Sequence, residues 1–166
     1  PSAGRVGPMD DLTAAYLAGV MDSDGWFTIK RHAANSRYGD SYTYSESAGC
    51  GQTSPEAVEL LRAEFGGVVK LRTRKTAGNW KPMHYWAVTN RLAASVAESL
   101  RPFLRVKAEH ADLVLAIRRS KESADDNGGR VVTGPLRGRG LRPEVGAARH
   151  DAYERIRSLN DRRVRV

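Results

Sequence analysis

Beyond the first ten residues, the hydrophobic positions fall into short periodic runs. Leu12, Tyr16, Leu17, Val20 and Met21 follow the spacing of one helix face, after acidic residues suited to a helix N-terminus. Asp24-Gly25 ends that helix. From Trp26 to His32 the period drops to two, with Phe27 and Ile29 against Thr28, Lys30 and His32, which predicts a strand. Asn35 to Asp40 supplies turn residues. A second strand is predicted over about 41–52, with Tyr42, Tyr44, Ala48 and Cys50 on one parity and Thr43, Ser45, Ser47 and Gly49 on the other. Ser54 as cap and Pro55 in the first turn open a helix that reaches Phe65 and closes at Gly66-Gly67.

A third strand at about 68–75 sets Val69 and Leu71 against Lys70, Arg72 and Arg74. The fourth, His84–Thr89, puts Trp86 and Val88 inward and Tyr85, Ala87 and Thr89 outward, the reverse phase staying open. Helices are predicted at about 91–100, 107–121 and 143–159, and the polar, glycine-rich stretch 122–142 reads as a loop. Residues 1–10 are expected to be a flexible arm or an artificial extension, and 11–166 a single domain. The order of elements predicts an α+β fold, a four-stranded antiparallel sheet backed by helices on one face. Its other face would carry Thr28, Lys30, His32, Thr43, Ser45, Ser47, Lys70, Arg72 and Arg74, either an ordinary solvated surface or one suited to nucleic acid.

Charge sharpens that choice. The 166-residue chain carries a formal net charge of +8, and residues 101–166 hold 16 basic against 9 acidic side chains. Two windows, 70–91 and 127–143, lack any acid. Arginine outnumbers lysine 21 to 6, which suits bidentate phosphate contact or reflects codon bias. No apolar run approaches the roughly 18 residues of a membrane span, so no membrane partner is expected. A lone Cys50 and the lack of a signal-like N-terminus predict an intracellular protein of a bacterial or phage cytoplasm, or of an organelle, rather than a secreted one.

The nonapeptide Leu17-Ala18-Gly19-Val20-Met21-Asp22-Ser23-Asp24-Gly25 carries the sharpest chemical signal. Its Asp-x-Asp-Gly run lacks the further ligands and terminal Glu of a calcium loop, and it ends a helix, whereas the phosphatase motif of similar sequence ends a strand. The segment resembles the LAGLIDADG signature of homing endonucleases at six of nine positions. Leu100-Arg101-Pro102-Phe103-Leu104-Arg105-Val106-Lys107 with Ala111–Leu115, and Ser158-Leu159-Asn160-Asp161, resemble two further stretches of the single-motif members. The family repeat, αββαββα, matches the order above. Glu46 and the stretch 122–142 have no counterpart in that pattern.

The resemblance implies a site-specific double-strand DNA endonuclease that acts as a homodimer on a long pseudo-palindromic target, in the manner of intron homing. Phosphodiester hydrolysis needs a nucleophile, charge neutralisation and a stabilised leaving group, which a divalent metal supplies. The resemblance assigns Mg²⁺, with Mn²⁺ or Ca²⁺ able to substitute for binding, to Asp24 and the main-chain carbonyl of Ser23. It assigns catalytic roles to Asp24, Gln52 and Lys107, and reads Asp22 as structural. The bland alternatives are that Lys107 pairs with Asp112 or caps a helix end, and that Gln52 is an exposed turn residue.

Duplex DNA would meet Thr28, Lys30, His32, Arg37, Thr43, Ser45, Ser47, Lys70, Arg72, Arg74, Lys75, Tyr85, Arg162 and Arg163. The dimer would form through Leu17, Gly19, Val20 and Ser23, and a strand of ten residues, about 33 Å, matches about ten base pairs per half-site. A non-cleaving nucleic-acid-binding protein on the same scaffold, an intron maturase or a regulator, is the competing expectation.

Overall fold

The computed structural model describes residues 9–33, 42–73, 81–123, 130–133 and 138–161. Helix α1 (Asp11–Ser23) starts at Asp10, whose carboxylate accepts from the Thr13 backbone N–H and hydroxyl, both at 2.9 Å. It stops because Gly25 must follow: a Cβ there would lie 2.7 Å from the Met21 Cα. The chain turns directly into β1 (Gly25–His32), then β2 (Thr43–Gln52), α2 (Glu56–Phe65), β3 (Val68–Arg72), β4 (Met83–Thr89), α3 (Arg91–Leu100) and α4 (Ala108–Glu122). The last helix, α5, spans Pro143–Asn160.

The four strands form one antiparallel sheet in the order β1-β2-β4-β3. Phe27, Ile29, Tyr44, Ala48, Cys50, Trp86 and Val88 line its inner face and are buried against Leu17 and Met21 of α1, Leu61 of α2, Leu100 of α3, Ile117 of α4 and Ile156 of α5. The α+β fold predicted from periodicity is the observed one. The phase of β4 is settled by register: Cys50 pairs with Trp86 and Gly51 with Tyr85, so Tyr85 faces outward.

Three expectations need correction. The stretch 122–142 is not simply a loop, because 130–133 (β5) and 138–141 (β6) pair as an antiparallel hairpin, Arg130 opposite Leu141. Strands of four residues, one of them with glycine at alternate positions, are too short to show a period in the sequence. Ser54 does not cap α2: Pro55 occupies that position without a side-chain bond, and the Ser54 hydroxyl donates to the Glu56 carboxylate.

The third concerns α1. Leu17 and Val20, read as dimer contacts, are buried in the chain's own core. A helix apolar on two sides shows its period but not which stripe faces the sheet. The stripe left outside is Leu12, Ala15, Tyr16, Gly19 and Ser23, with Leu12 84% exposed.

Glu46 is the one acid inside the sheet's inner face and is fully buried. Arg118 reaches one carboxylate oxygen at 2.9 Å and Lys121 the other at 2.5 Å, both from α4. One residue along, Ser120 accepts twice from the buried Arg149 guanidinium of α5, through its hydroxyl and its carbonyl, each at 2.8 Å. Two polar linkages therefore tie the sheet to α4 and α4 to α5. Burial holds the Lys121 ammonium below the usual lysine range, the Glu46 carboxylate partly offsetting it.

Candidate nucleic-acid cleavage site

The end of α1 is where chemistry-bearing groups meet. Asp24 caps the helix, its N–H bonded to the Val20 carbonyl at 3.0 Å, and its carboxylate is exposed. Gln52, the last residue of β2, donates from Nε2 to Asp24 Oδ2 at 3.1 Å, and the Ser23 hydroxyl approaches the same oxygen at 3.4 Å. Gln52 is thus oriented toward the carboxylate rather than being a bare turn residue.

Lys107 arrives from the segment before α4. Its ammonium donates to the carbonyls of Met21 at 2.7 Å and Asp22 at 2.8 Å and lies 3.4 Å from that of Ser23. Those are terminal carbonyls of α1, where the helix dipole favours a cation. The alternative partner, Asp112, is taken: Arg101 forks onto it at 2.6 and 2.8 Å and holds its carboxyl below the usual range. Lys107 does occupy a helix end, and it does so beside Asp24.

Asp22 makes this juxtaposition possible. Its two carboxylate oxygens accept from the backbone N–H groups of Arg105 (2.8 Å), Val106 (3.2 Å) and Lys107 (2.9 Å). The first acid of the nonapeptide is therefore a clamp that fixes a segment more than eighty residues away. Asp22→Ala removes three bonds to a charged acceptor; in this partly exposed position we expect a loss of about 2 kcal/mol, measured by urea unfolding, with Lys107 released from α1.

Asp22, Asp24, Trp26, Lys107, His110 and Asn160 are among the residues lining one open cavity of about 460 Å³. Trp26 and His110 were not foreseen as part of it: His110 lies one turn beyond Lys107 on α4, which only the docking of α4 on α1 reveals. Beneath Asp24 lies Cys50, whose thiol is pushed up to about 11, first by burial and then by the Asp24 carboxylate. Burial thus favours the protonated thiol.

Oxygen donors of this kind suit a hard divalent cation. The described residues of a single chain hold no group of three or more His, Cys, Asp or Glu side chains. To this cavity one chain brings a single exposed carboxylate, Asp24, and the Ser23 carbonyl, which also lies 3.4 Å from the Lys107 ammonium; that is a partial set of oxygen donors for such an ion.

The outer sheet face runs away from this cavity. Lys30, His32, Thr43, Lys70 and Arg72 are exposed on it, and Thr28, Ser45 and Tyr85 are half-buried. His32 Nε2 lies 2.7 Å from the Ser45 hydroxyl. Ser47 is a correction: it points outward but is 1% exposed, a short side chain set between Thr28 and Thr89 in the register, and offers no contact surface. Arg37, Arg74, Lys75, Arg162 and Arg163 lie outside the described residues. No helix among the described residues is long and apolar enough to cross a membrane.

No protein-family model matches the chain, and no curated protein matches it. Solved structures do. The homing endonuclease I-CvuI, in complex with its target in the presence of calcium, has a TM-score of 0.62 at 21% identity, over 93% of this chain and 86% of that one. The archaeal intron-encoded homing endonuclease I-Vdi141I, complexed with DNA, has a TM-score of 0.65 at 11% identity, covering 93% and 87%. The group I intron-encoded I-CeuI, also complexed with DNA, has a TM-score of 0.52 at 11% identity, covering 89% and 79%. The chain therefore has the fold of the LAGLIDADG homing endonucleases.

Proposed function

We propose that this chain is one half of a homodimeric, divalent-metal-dependent endonuclease that cuts double-stranded DNA at a long, pseudo-palindromic site. The observation that carries the reading is the meeting of Asp24, Gln52 and Lys107 at the foot of α1, next to a sheet face rich in basic and hydroxyl side chains. A shared fold by itself fixes no activity; the site at the equivalent end of the motif helix is the reason for assigning one.

Each group has a task. Asp24 and the Ser23 carbonyl would hold the metal, Mg²⁺ in the first instance, which when bound supplies charge neutralisation on the phosphate and activation of water. Gln52 fixes the Asp24 carboxylate through its amide N–H and keeps its amide oxygen to orient a water. Lys107, held in place by the α1 carbonyls, adds a fixed positive charge on the side of the cavity from which phosphate enters. Lys30, Lys70 and Arg72 bring the DNA backbone and bases to that position.

Support for a second copy comes from α1. Its exposed stripe holds Leu12 and Tyr16 beside the small residues Gly19 and Ser23, and a Cβ at Gly19 would meet nothing within 4 Å in the single chain. Packing inside the chain gives Gly19 no reason to be glycine, whereas close approach of a second α1 does. A two-fold axis there would bring two Asp24 carboxylates together. The wild type should sediment at twice the 18.2 kDa chain mass, and Gly19→Leu at the chain mass with its melting temperature retained; a wild-type monomer, with or without DNA, would contradict the dimer.

For activity, a library of long randomised duplexes incubated with the protein and Mg²⁺ should yield linear ends clustered at one recurrent sequence. Tight recurrent binding without cut ends would instead favour the maturase or regulator reading.

A further inference from the structure

Across the outer sheet face runs a continuous band of flat side chains. Trp26 of β1 lies over Gly49 of β2 and stacks on Tyr85 of β4, ring centroids 5.1 Å apart and planes 27° from parallel. Tyr85 in turn carries the Arg72 guanidinium of β3, 3.6 Å from its ring centroid. The band crosses all four strands because β2 leaves room for it. A Cβ at Gly49 would overlap the Trp26 ring and come within 2.7 Å of the Trp86 carbonyl, and Gly51, also without a side chain, lies opposite Tyr85. At its β1 end the band borders the cavity that holds Asp24 and Lys107.

We propose that this band is a pre-organised base reader, in which Trp26 and Tyr85 hold the Arg72 fork for one guanine at a fixed position in each half-site. The inference rests on the DNA reading above and deepens it by naming a base the target must contain. Arginine's planar fork matches the O6 and N7 acceptors of guanine in the major groove, and that bidentate contact is the commonest specific one. With its carbon 3.6 Å from the Tyr85 ring centroid, the guanidinium is held against the ring by cation–π attraction, and a fork held there has N–H groups to offer a base.

Two observations favour a base over a phosphate. Arg72 sits on the edge strand in register with Met83, yet its guanidinium lies over Tyr85 of the neighbouring interior strand, drawn in from the rim. A phosphate contact at the rim needs charge and reach, not a fixed plane. Nor, among the described residues, does any carboxylate pair with Arg72 and compete for the fork. Trp26 and Tyr85 are positioning residues here: they add no charge and act through the orientation of Arg72.

The test selects long randomised duplexes for binding to the wild type and to Arg72→Gln, Tyr85→Leu, Tyr85→Phe and Trp26→Leu, and then measures the salt dependence of binding on the best wild-type duplex. The wild-type pool should contain a guanine at one position per half-site. Arg72→Gln and Tyr85→Leu should lose that preference by about tenfold or more and keep the others. Tyr85→Leu should leave the salt slope unchanged, since it removes no charge. Tyr85→Phe keeps the ring and should keep the guanine, which preserves the test if the leucine variant unfolds.

A pool from Arg72→Gln that keeps every base preference while the salt slope falls by about one would make Arg72 a phosphate contact and overturn the proposal. So would a guanine indifferent to Tyr85→Leu in a folded protein. A wild-type pool without any shared sequence would overturn site-specific DNA reading itself, a result distinct from a specific pool whose guanine does not depend on Arg72.

Discussion

Asp24→Asn should abolish strand cleavage, by about 10³-fold or more, while binding to the same duplex stays within a few-fold of wild type. The size follows from what the carboxylate is asked to do: holding the ion that stabilises transition-state charge is worth several kcal/mol, and each 1.36 kcal/mol is tenfold in rate. Binding survives because Asp24 lies at the end of the reading face and not on it. The amide also removes a negative charge where a phosphate must approach, which helps the bound state. The substitution is nearly isosteric, so the contact with Gln52 is replaced by an amide pair and the fold holds. Lys107→Met is the complementary loss, but it also uncovers the α1 carbonyls of Met21 and Asp22 and so mixes stability with chemistry. Asp24→Asn is the cleaner measurement, made by single-turnover cleavage beside equilibrium binding.

Glu46→Ala is expected to be the most damaging single change to stability. Removing one partner of a buried ion pair costs about 3–5 kcal/mol, because the remaining charge is left desolvated and uncompensated. Here two cations, Arg118 and Lys121, are left behind, with side-chain exposures of 13% and 23%, and Arg118 retains the more exposed Glu122 at 3.5 Å. That loss corresponds to roughly 10 °C in melting temperature for a domain of this size. The control is to remove the whole cluster. Glu46→Leu combined with Arg118→Leu and Lys121→Met replaces buried charge with apolar volume and should recover most of the loss. A single variant as stable as the wild type would show that the cluster is solvated in solution. Cys50 reports the same event chemically: buried and protonated, it should resist alkylation at neutral pH until the chain unfolds.

The alternation of the sheet is legible because strands facing a core on one side must alternate, and the outward residues of β1 and β2 stand where the parity places them; the phase of β4 is fixed only by its pairing with β2. The family resemblance separates the motif's two acids, giving the metal to Asp24 and a structural place to Asp22. What Asp22 binds was not legible, since its three N–H donors lie more than eighty residues along the sequence. Glu46 carried a readable sign, an acid on the inward parity of β2, but its partners on α4 depend on how the helices dock.

An apolar helix face does not say whether it meets its own sheet or another chain, so the sequence alone cannot place Leu17 and Val20. Parity fixes the direction of Ser47 and not its depth. The place of Trp26 is not legible in the sequence, because its neighbours Gly49, Tyr85 and Arg72 come from three other strands and only the register brings them together.

If the foot of α1 is a metal-dependent centre for cutting duplex DNA, both strands must break there only when the ion and Asp24 are present. One measurement addresses it most directly: end-label both strands of the duplex most enriched by the wild-type protein, and follow product under Mg²⁺ and under chelator, for wild type and Asp24→Asn together. Cuts in both strands at fixed positions near the centre of the site, seen only for the wild type with Mg²⁺, are the predicted result. Tight binding by the wild type with both strands intact under Mg²⁺, or equal cutting by Asp24→Asn, would contradict it.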